Sequence, residues 1–103
     1  MRNVNQKSKS QPLLIEAHEI INGERRKMYG APANGLKGVA DQWSLYLNQK
    51  YHIVLADGFE IELTAEDVAW MMCDLKKYRQ MHKSKRDNVV DAAGYIGLIE
   101  QVL

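Results

Sequence analysis

Apolar residues recur at helical spacing in four stretches of the chain, and each stretch predicts an amphipathic helix. Pro12 suits a first helical turn, and Gly23 is a plausible C-terminal stop for the same helix. Thr64 is a typical N-cap residue. Glu66 and Asp67 after it suit the positive end of a helix dipole, so both signals place the start of a helix here. The predicted helices cover about residues 12–22, 34–49, 64–82 and 87–103.

The period changes from 3.6 to two around Asp57-Gly58, a pair that favours a two-residue type I′ turn. β-forming residues 51–56 precede this pair, and apolar residues alternate with glutamates over 59–63. We therefore expect a β-hairpin at about 51–63. The predicted fold class is mainly α, a four-helix single domain over 12–103 with one hairpin insertion. The polar residues 1–11 are expected to form a flexible tail.

Composition narrows the class of protein. The chain has 103 residues, 46% of them hydrophobic and 26% charged, with a net charge of +1. These values exclude a mostly disordered chain and a bulk nucleic-acid binder. The single cysteine, Cys73, excludes an intrachain disulfide framework, and no apolar run approaches a membrane span. A cytoplasmic protein is the simplest interpretation.

Two charged residues fall within apolar arcs when the helices are projected at 100° per residue. Arg79 lies in the arc of the third helix, together with Met71 and Leu75, and Asp91 lies in that of the fourth. One interpretation is a buried Arg79–Asp91 ion pair that fixes how the two helices dock. The other is a pocket floor, in which Arg79 faces an anion and Asp91 holds a metal or a ligand N–H.

A basic, aromatic loop follows the first helix and contains Arg25, Arg26, Tyr29 and Gly30. Arginine forks suit phosphate, tyrosine can stack on a base, and glycine lets the backbone approach a ligand closely. A turn with solvated charges is an equally good interpretation. Carboxylates supply a further hypothesis, because Asp67, Asp74 and Asp87 could form a weak Mg²⁺ site near Asp91. Their alternative roles are a helix cap and solvated surface charge.

Several short motifs stand in a fixed order along the chain. Over about residues 13–99 they resemble a family of small helical proteins of bacteriophages and prophages, a domain of unknown function. The resemblance implies a phage origin, a bacterial cytoplasm, and shared polar residues of types that suit phosphates, bases and metals, including Lys76, Arg79, Asn88, Asp91 and Tyr95. The motifs are Arg25-x-x-x-Tyr29-Gly30-x-Pro32, Trp43, Thr64-x-Glu66-Asp67-Val68-Ala69, Lys76-x-x-Arg79 and Asp87-Asn88-x-x-Asp91-x-x-Gly94-Tyr95.

Three functions compete at this point. The first is binding of a nucleotide or nucleotide-derived signal without cofactor or chemistry, by which a phage could sequester a host defence messenger. The second is a Mg²⁺-dependent hydrolase similar to the helical MazG pyrophosphatases, although only Glu16-x-x-Glu19 matches their motifs and a solvated pair explains it better. The third is an interaction module that docks on a host protein through the hairpin edge. We also expect a homo-oligomer, most simply a dimer.

Overall fold

The computed structural model describes residues 11–23 and 32–103, and four helices form in this part of the chain. The predicted flexible tail lies almost entirely outside the described residues. The second helix is two residues longer than predicted at each end. It begins at Pro32, a residue well suited to a first turn. The helices are α1 Leu13–Asn22, α2 Pro32–Tyr51, α3 Ala65–His82 and α4 Arg86–Val102.

The start of α3 confirms the predicted cap. The Thr64 hydroxyl accepts a hydrogen bond from the Asp67 backbone N–H at 3.1 Å, and the Asp67 carboxylate accepts one from the Thr64 N–H at 2.8 Å. This reciprocal capping box satisfies two backbone donors that the first turn would otherwise leave unpaired. The start of α4 differs slightly from prediction, since Lys85 is its N-cap and Asp87 lies in its first turn.

The predicted β-hairpin is wrong. Between α2 and α3 the chain has no regular secondary structure apart from one turn, and the described residues contain no strand. The predicted type I′ turn on Asp57-Gly58 is also wrong, although the chain does reverse here: the Gly58 N–H donates to the Leu55 carbonyl at 2.8 Å, and the Leu55 N–H donates to the Phe59 carbonyl at 2.8 Å. The central residues of the turn are therefore Ala56 and Asp57, and Asp57 lacks the positive φ that a type I′ turn requires. Gly58 has φ +88°, a conformation that favours glycine. No ladder continues from this turn, in keeping with the low stability of an isolated hairpin.

Side chains of α2 take the place of a partner strand. The Asn48 amide donates to the Ile61 carbonyl at 2.8 Å and accepts from the Ile61 N–H at 3.1 Å. The Ser44 hydroxyl accepts from the Leu63 N–H at 2.8 Å. Ile61 and Leu63 are half-buried while Glu60 and Glu62 are exposed, as the predicted alternation requires. Phe59, which was predicted to share the buried face, is 71% exposed, so the alternation holds only over residues 60–63.

The core forms where α2, α3 and α4 meet. α4 has a central position, with α3 on one side and α1 on the other, and α1 packs chiefly against α4. Within the described residues, no helix is long and apolar enough to cross a membrane. The buried cluster consists of Leu36, Ala40, Val68, Ala69, Leu98 and Ile99.

Part of the apolar arc predicted on α3 remains uncovered. Met71 is 40% exposed, Leu75 36% and Tyr78 66%. The buried side of α3 is centred instead on Val68 and Ala69. A projection of α3 alone shows which residues share a side of the helix, whereas the packing of α2 and α4 decides which side is buried.

Candidate functional site

Small residues on α4 allow α1 to pack closely against it. A Cβ atom on Gly97 would lie 3.1 Å from the Ile21 Cδ1 atom, and one on Gly94 would lie 3.5 Å from Ile21 Cγ2. A Cβ atom at position 97 would therefore be closer to Ile21 than an ordinary van der Waals contact allows, whereas glycine leaves room for it. Ile21 therefore seats against the α4 backbone, and this contact fixes the distance between the two helices.

Arg86 holds the other end of α1 in place. Its guanidinium donates to the Glu16 carboxylate at 2.5 Å and to the Gln11 carbonyl at 3.1 Å. The Glu16 side chain is only 15% exposed. The interpretation of Glu16 as a solvated surface charge is therefore wrong, because Arg86 reaches it from the start of α4. No local pattern near Glu16 signals a partner 70 residues away in sequence.

A cleft of about 400 Å³ opens between α1 and α4. Its volume falls within the range of small-molecule sites. Ala17 is buried and Ile21 half-buried, so the cleft has an apolar floor. We call it the α1–α4 cleft, and its lining residues are Leu14, Ala17, His18, Ile21, Asn22, Ala93, Gly97, Glu100 and Gln101.

Two amides and an imidazole are connected at one end of this cleft. The Asn22 amide donates to the His18 carbonyl at 3.1 Å and contacts the His18 Nδ1 atom at 3.3 Å. The Gln101 side-chain amide N–H donates from α4 to the side-chain oxygen Oδ1 of Asn22 at 3.5 Å. Amide side chains both donate and accept hydrogen bonds, so this end can match a ligand edge that carries both kinds of group.

Sequence reasoning missed these cleft residues. Histidine, asparagine and glutamine at isolated positions carry little signal, and none of them repeats at the spacing of a known motif. The one sequence feature that marks the cleft is the run of small residues Ala93, Gly94 and Gly97 on α4. Such a run permits close helix packing, but it does not say which helix approaches.

The predicted Arg79–Asp91 ion pair is wrong. Asp91 pairs instead with Lys76, with 3.0 Å between the Nζ and Oδ2 atoms, and Arg79 is exposed. The Lys76 side chain is only 14% exposed and that of Asp91 38%. Lys76 lies on the side of α3 that faces α4, so it reaches Asp91 while Arg79 does not.

Other predicted ligand-binding residues lie along the same α3–α4 contact. The Asn88 amide donates to the Gln80 side-chain carbonyl at 3.2 Å, and Tyr95 packs half-buried against the core. Asp91 and Ala93 are two residues apart, about 200° around α4, so the Lys76–Asp91 pair and the cleft lie on different sides of this helix. The structure thus brings Lys76, Asn88 and Asp91 to one contact and separates them from the cleft.

The basic, aromatic loop, which contains Arg25, Arg26, Tyr29 and Gly30, lies outside the described residues.

The metal hypothesis can be compared with the geometry. Asp67 is engaged in the capping box of α3, and the described residues contain no group of three or more side chains that could hold a metal ion. Asp67, Asp74 and Asp87 therefore do not form a common metal site.

Cys73 is poorly suited to nucleophilic chemistry. Burial raises the pKa of its thiol above the ordinary value, and the negative charge of Asp74 raises it further. The thiol also donates a weak hydrogen bond to the Ala92 carbonyl, with 3.7 Å between sulfur and oxygen. A reactive cysteine needs the opposite surroundings, which favour the thiolate.

The chain was compared with known proteins, and it matches one family. Residues 12–103 match a family described as a domain of unknown function (DUF6378). The chain is 37% identical over 91 residues to the Gene 55 protein of Mycobacterium phage L5, which covers 87% of this chain and 51% of that protein. It is 35% identical over 94 residues to the Gene 55 protein of Mycobacterium phage D29, covering 90% and 54%.

The chain spans about half the length of these two relatives. No solved structure matches it with significance. The resemblance to a phage family of unknown function is confirmed by the family match and by both relatives: the chain belongs to the DUF6378 family.

Proposed function

We propose that this protein binds a nucleotide or a nucleotide-derived signal in the α1–α4 cleft and does no chemistry on it. The observation that carries the proposal is that a residue lining the cleft lies close in sequence to the basic loop. Asn22 lines the cleft, and Arg25 follows three residues later. Covalent geometry keeps the two Cα atoms within about 11 Å of each other. Phosphates on a ligand in the cleft would then lie within reach of the basic loop.

The lining of the cleft supports a base or nucleoside as the buried part of the ligand. The apolar floor at Ala17 and Ile21 suits the face of a flat ring. The Gln101 amide, which Asn22 holds in position, can match a donor and an acceptor on the edge of a base, as glutamine does in nucleic-acid recognition. His18 adds a ring that can stack or hydrogen bond.

The basic loop would supply the affinity for phosphate. Arg25 and Arg26 present forked donors, Tyr29 can stack, and Gly30 allows a close approach of the backbone. Lys76 has no part in this proposal, because its ammonium is paired with Asp91 on the other side of α4. In the cytoplasm of an infected bacterium, such binding would let the phage sequester a host defence messenger.

Isothermal titration calorimetry with a panel of nucleoside phosphates and cyclic dinucleotides tests the proposal, with and without Mg²⁺. We expect one ligand to bind below millimolar concentration, with an affinity that falls as salt is added. Arg25→Ala should weaken binding about ten-fold or more and leave the melting temperature nearly unchanged. Lys77→Ala is the matched control, because it removes an exposed cation of α3.

Two results would overturn the proposal. One is the absence of binding below millimolar across the whole panel. The other is an Arg25→Ala variant that binds as tightly as the wild type. Release of phosphate or pyrophosphate during titration with Mg²⁺ would show instead that the protein is a hydrolase.

A further inference from the structure

The exposed side of α3 carries a short heptad pattern. Met71, Leu75, Tyr78 and His82 are separated by four, three and four residues, the spacing of successive d, a, d and a positions in a coiled coil. All four side chains are exposed. Two apolar residues and two rings therefore form a continuous stripe, which we call the α3 seam.

The seam is bounded and ordered within one copy of the chain. Val68, one turn before Met71, is only 1% exposed, so the accessible stripe begins after it. At the other end, the Tyr78 and His82 rings stack with 6.2 Å between centroids and 9° between planes. A surface whose helix and rings are already ordered loses less conformational entropy when it binds a partner.

Opposite charges flank the seam. Asp74 lies at the g position before Leu75, and Arg79 lies at the e position after Tyr78, and both are exposed. In a parallel pair of helices, the g residue of one helix faces the e residue five positions later on the other. Asp74 of each copy would then face Arg79 of the other. An antiparallel pair would instead place like charges next to each other.

We propose that α3 pairs in parallel with α3 of a second copy of this chain, along a two-fold axis that runs parallel to the helix. The same patch then serves both copies, as closed two-fold symmetry requires. Burial of the seam drives association, and the two symmetry-related Asp74–Arg79 pairs select the parallel direction. The α1–α4 cleft lies elsewhere on the molecule, so this inference does not rest on the proposed function.

Charge reversal tests the partner and the pairing. We expect sedimentation velocity to show a concentration-dependent dimer for the wild type. Asp74→Arg and Arg79→Asp should each raise the dissociation constant about ten-fold or more, because each places like charges across the seam twice. The variant with both changes should recover wild-type association. Lys77→Glu, an exposed charge reversal at the c position outside the seam, is the matched control and should change nothing.

Disulfide trapping tests the direction. In a Cys73→Ser background, Met71→Cys and His82→Cys should each form a disulfide-linked dimer on oxidation, because each position meets itself in a parallel pair. An antiparallel pair would link only a mixture of the two variants. The proposal is overturned by a monomeric wild type at high micromolar concentration, by a double charge reversal that fails to restore association, or by cross-linking of the mixture alone.

Discussion

The Asn48 side chain hydrogen bonds to the backbone of Ile61 as a neighbouring β-strand would, and its removal should measurably destabilise the protein. Its side chain makes both hydrogen bonds that a neighbouring strand would make to Ile61, at 2.8 and 3.1 Å. In an Asn48→Ala variant, the Ile61 N–H and carbonyl lose these partners together. Both residues are half-buried, so water can reach the freed groups only in part.

The expected loss follows from these two contacts. A typical intramolecular hydrogen bond contributes about 1 kcal/mol net, so the two together contribute about 2 kcal/mol. Alanine is a better helix former than asparagine, and this returns roughly 0.5 kcal/mol inside α2. We expect a net loss of about 1.5 kcal/mol in the free energy of unfolding. For a domain of this size, the melting temperature should fall by roughly 6–12 °C.

Urea unfolding followed by circular dichroism measures this loss, provided that the m-value stays constant. Gln49→Ala is the matched control, because Gln49 is the exposed neighbour on the same helix and should cost little. Asn48→Asp keeps an acceptor for the Ile61 N–H but has no donor for the carbonyl. A loss at Asn48→Ala no larger than that at Gln49→Ala would refute the idea that α2 replaces a strand.

Four further outcomes are expected. Asp91→Ala should lower the free energy of unfolding by about 2 kcal/mol, because it strands the Lys76 ammonium, and a Lys76→Met/Asp91→Leu double variant should recover most of that loss in urea unfolding. His52→Gly should raise the free energy of unfolding by roughly 0.5–1 kcal/mol, and with it the melting temperature, because His52 has φ +52°, a conformation that favours glycine. The raised pKa of the Cys73 thiol should make iodoacetamide alkylation slower in the native protein than in urea at mildly alkaline pH. The native state holds that proton more tightly, so stability should fall as pH rises through the native pKa of Cys73.

Local signals were sufficient to predict where all four helices lie, to within two residues at each end. Thr64 and Asp67 form the predicted cap because the partners of a capping box are three residues apart and need no tertiary context. α1 ends as predicted at Asn22, before Gly23. These features depend on neighbours in sequence, which the sequence itself displays.

The errors arose where a residue depends on partners far away in sequence. The alternation over 59–63 correctly predicts that Ile61 and Leu63 face inward, but not that Phe59 is exposed, and the choice between a strand and two polar side chains of α2 has no local signal. Asn48 and Ile61 are thirteen residues apart. The same limit explains why Lys76, rather than Arg79, reaches Asp91: a helical projection gives relative directions on one helix, and only the packed bundle says which direction faces α4.

The packing of α1 chiefly against α4 has a consequence for dynamics. A helix that packs chiefly on one neighbour can detach while the contacts among α2, α3 and α4 persist, at the cost of removing Ile21 from the edge of the buried cluster. The backbone amides of α1 should therefore exchange with solvent faster than those of α4, through a subglobal opening. The cleft exists only while α1 is docked, so any ligand held there would also slow this exchange, and the protection of α1 amides would report occupancy of the cleft without any label on the ligand.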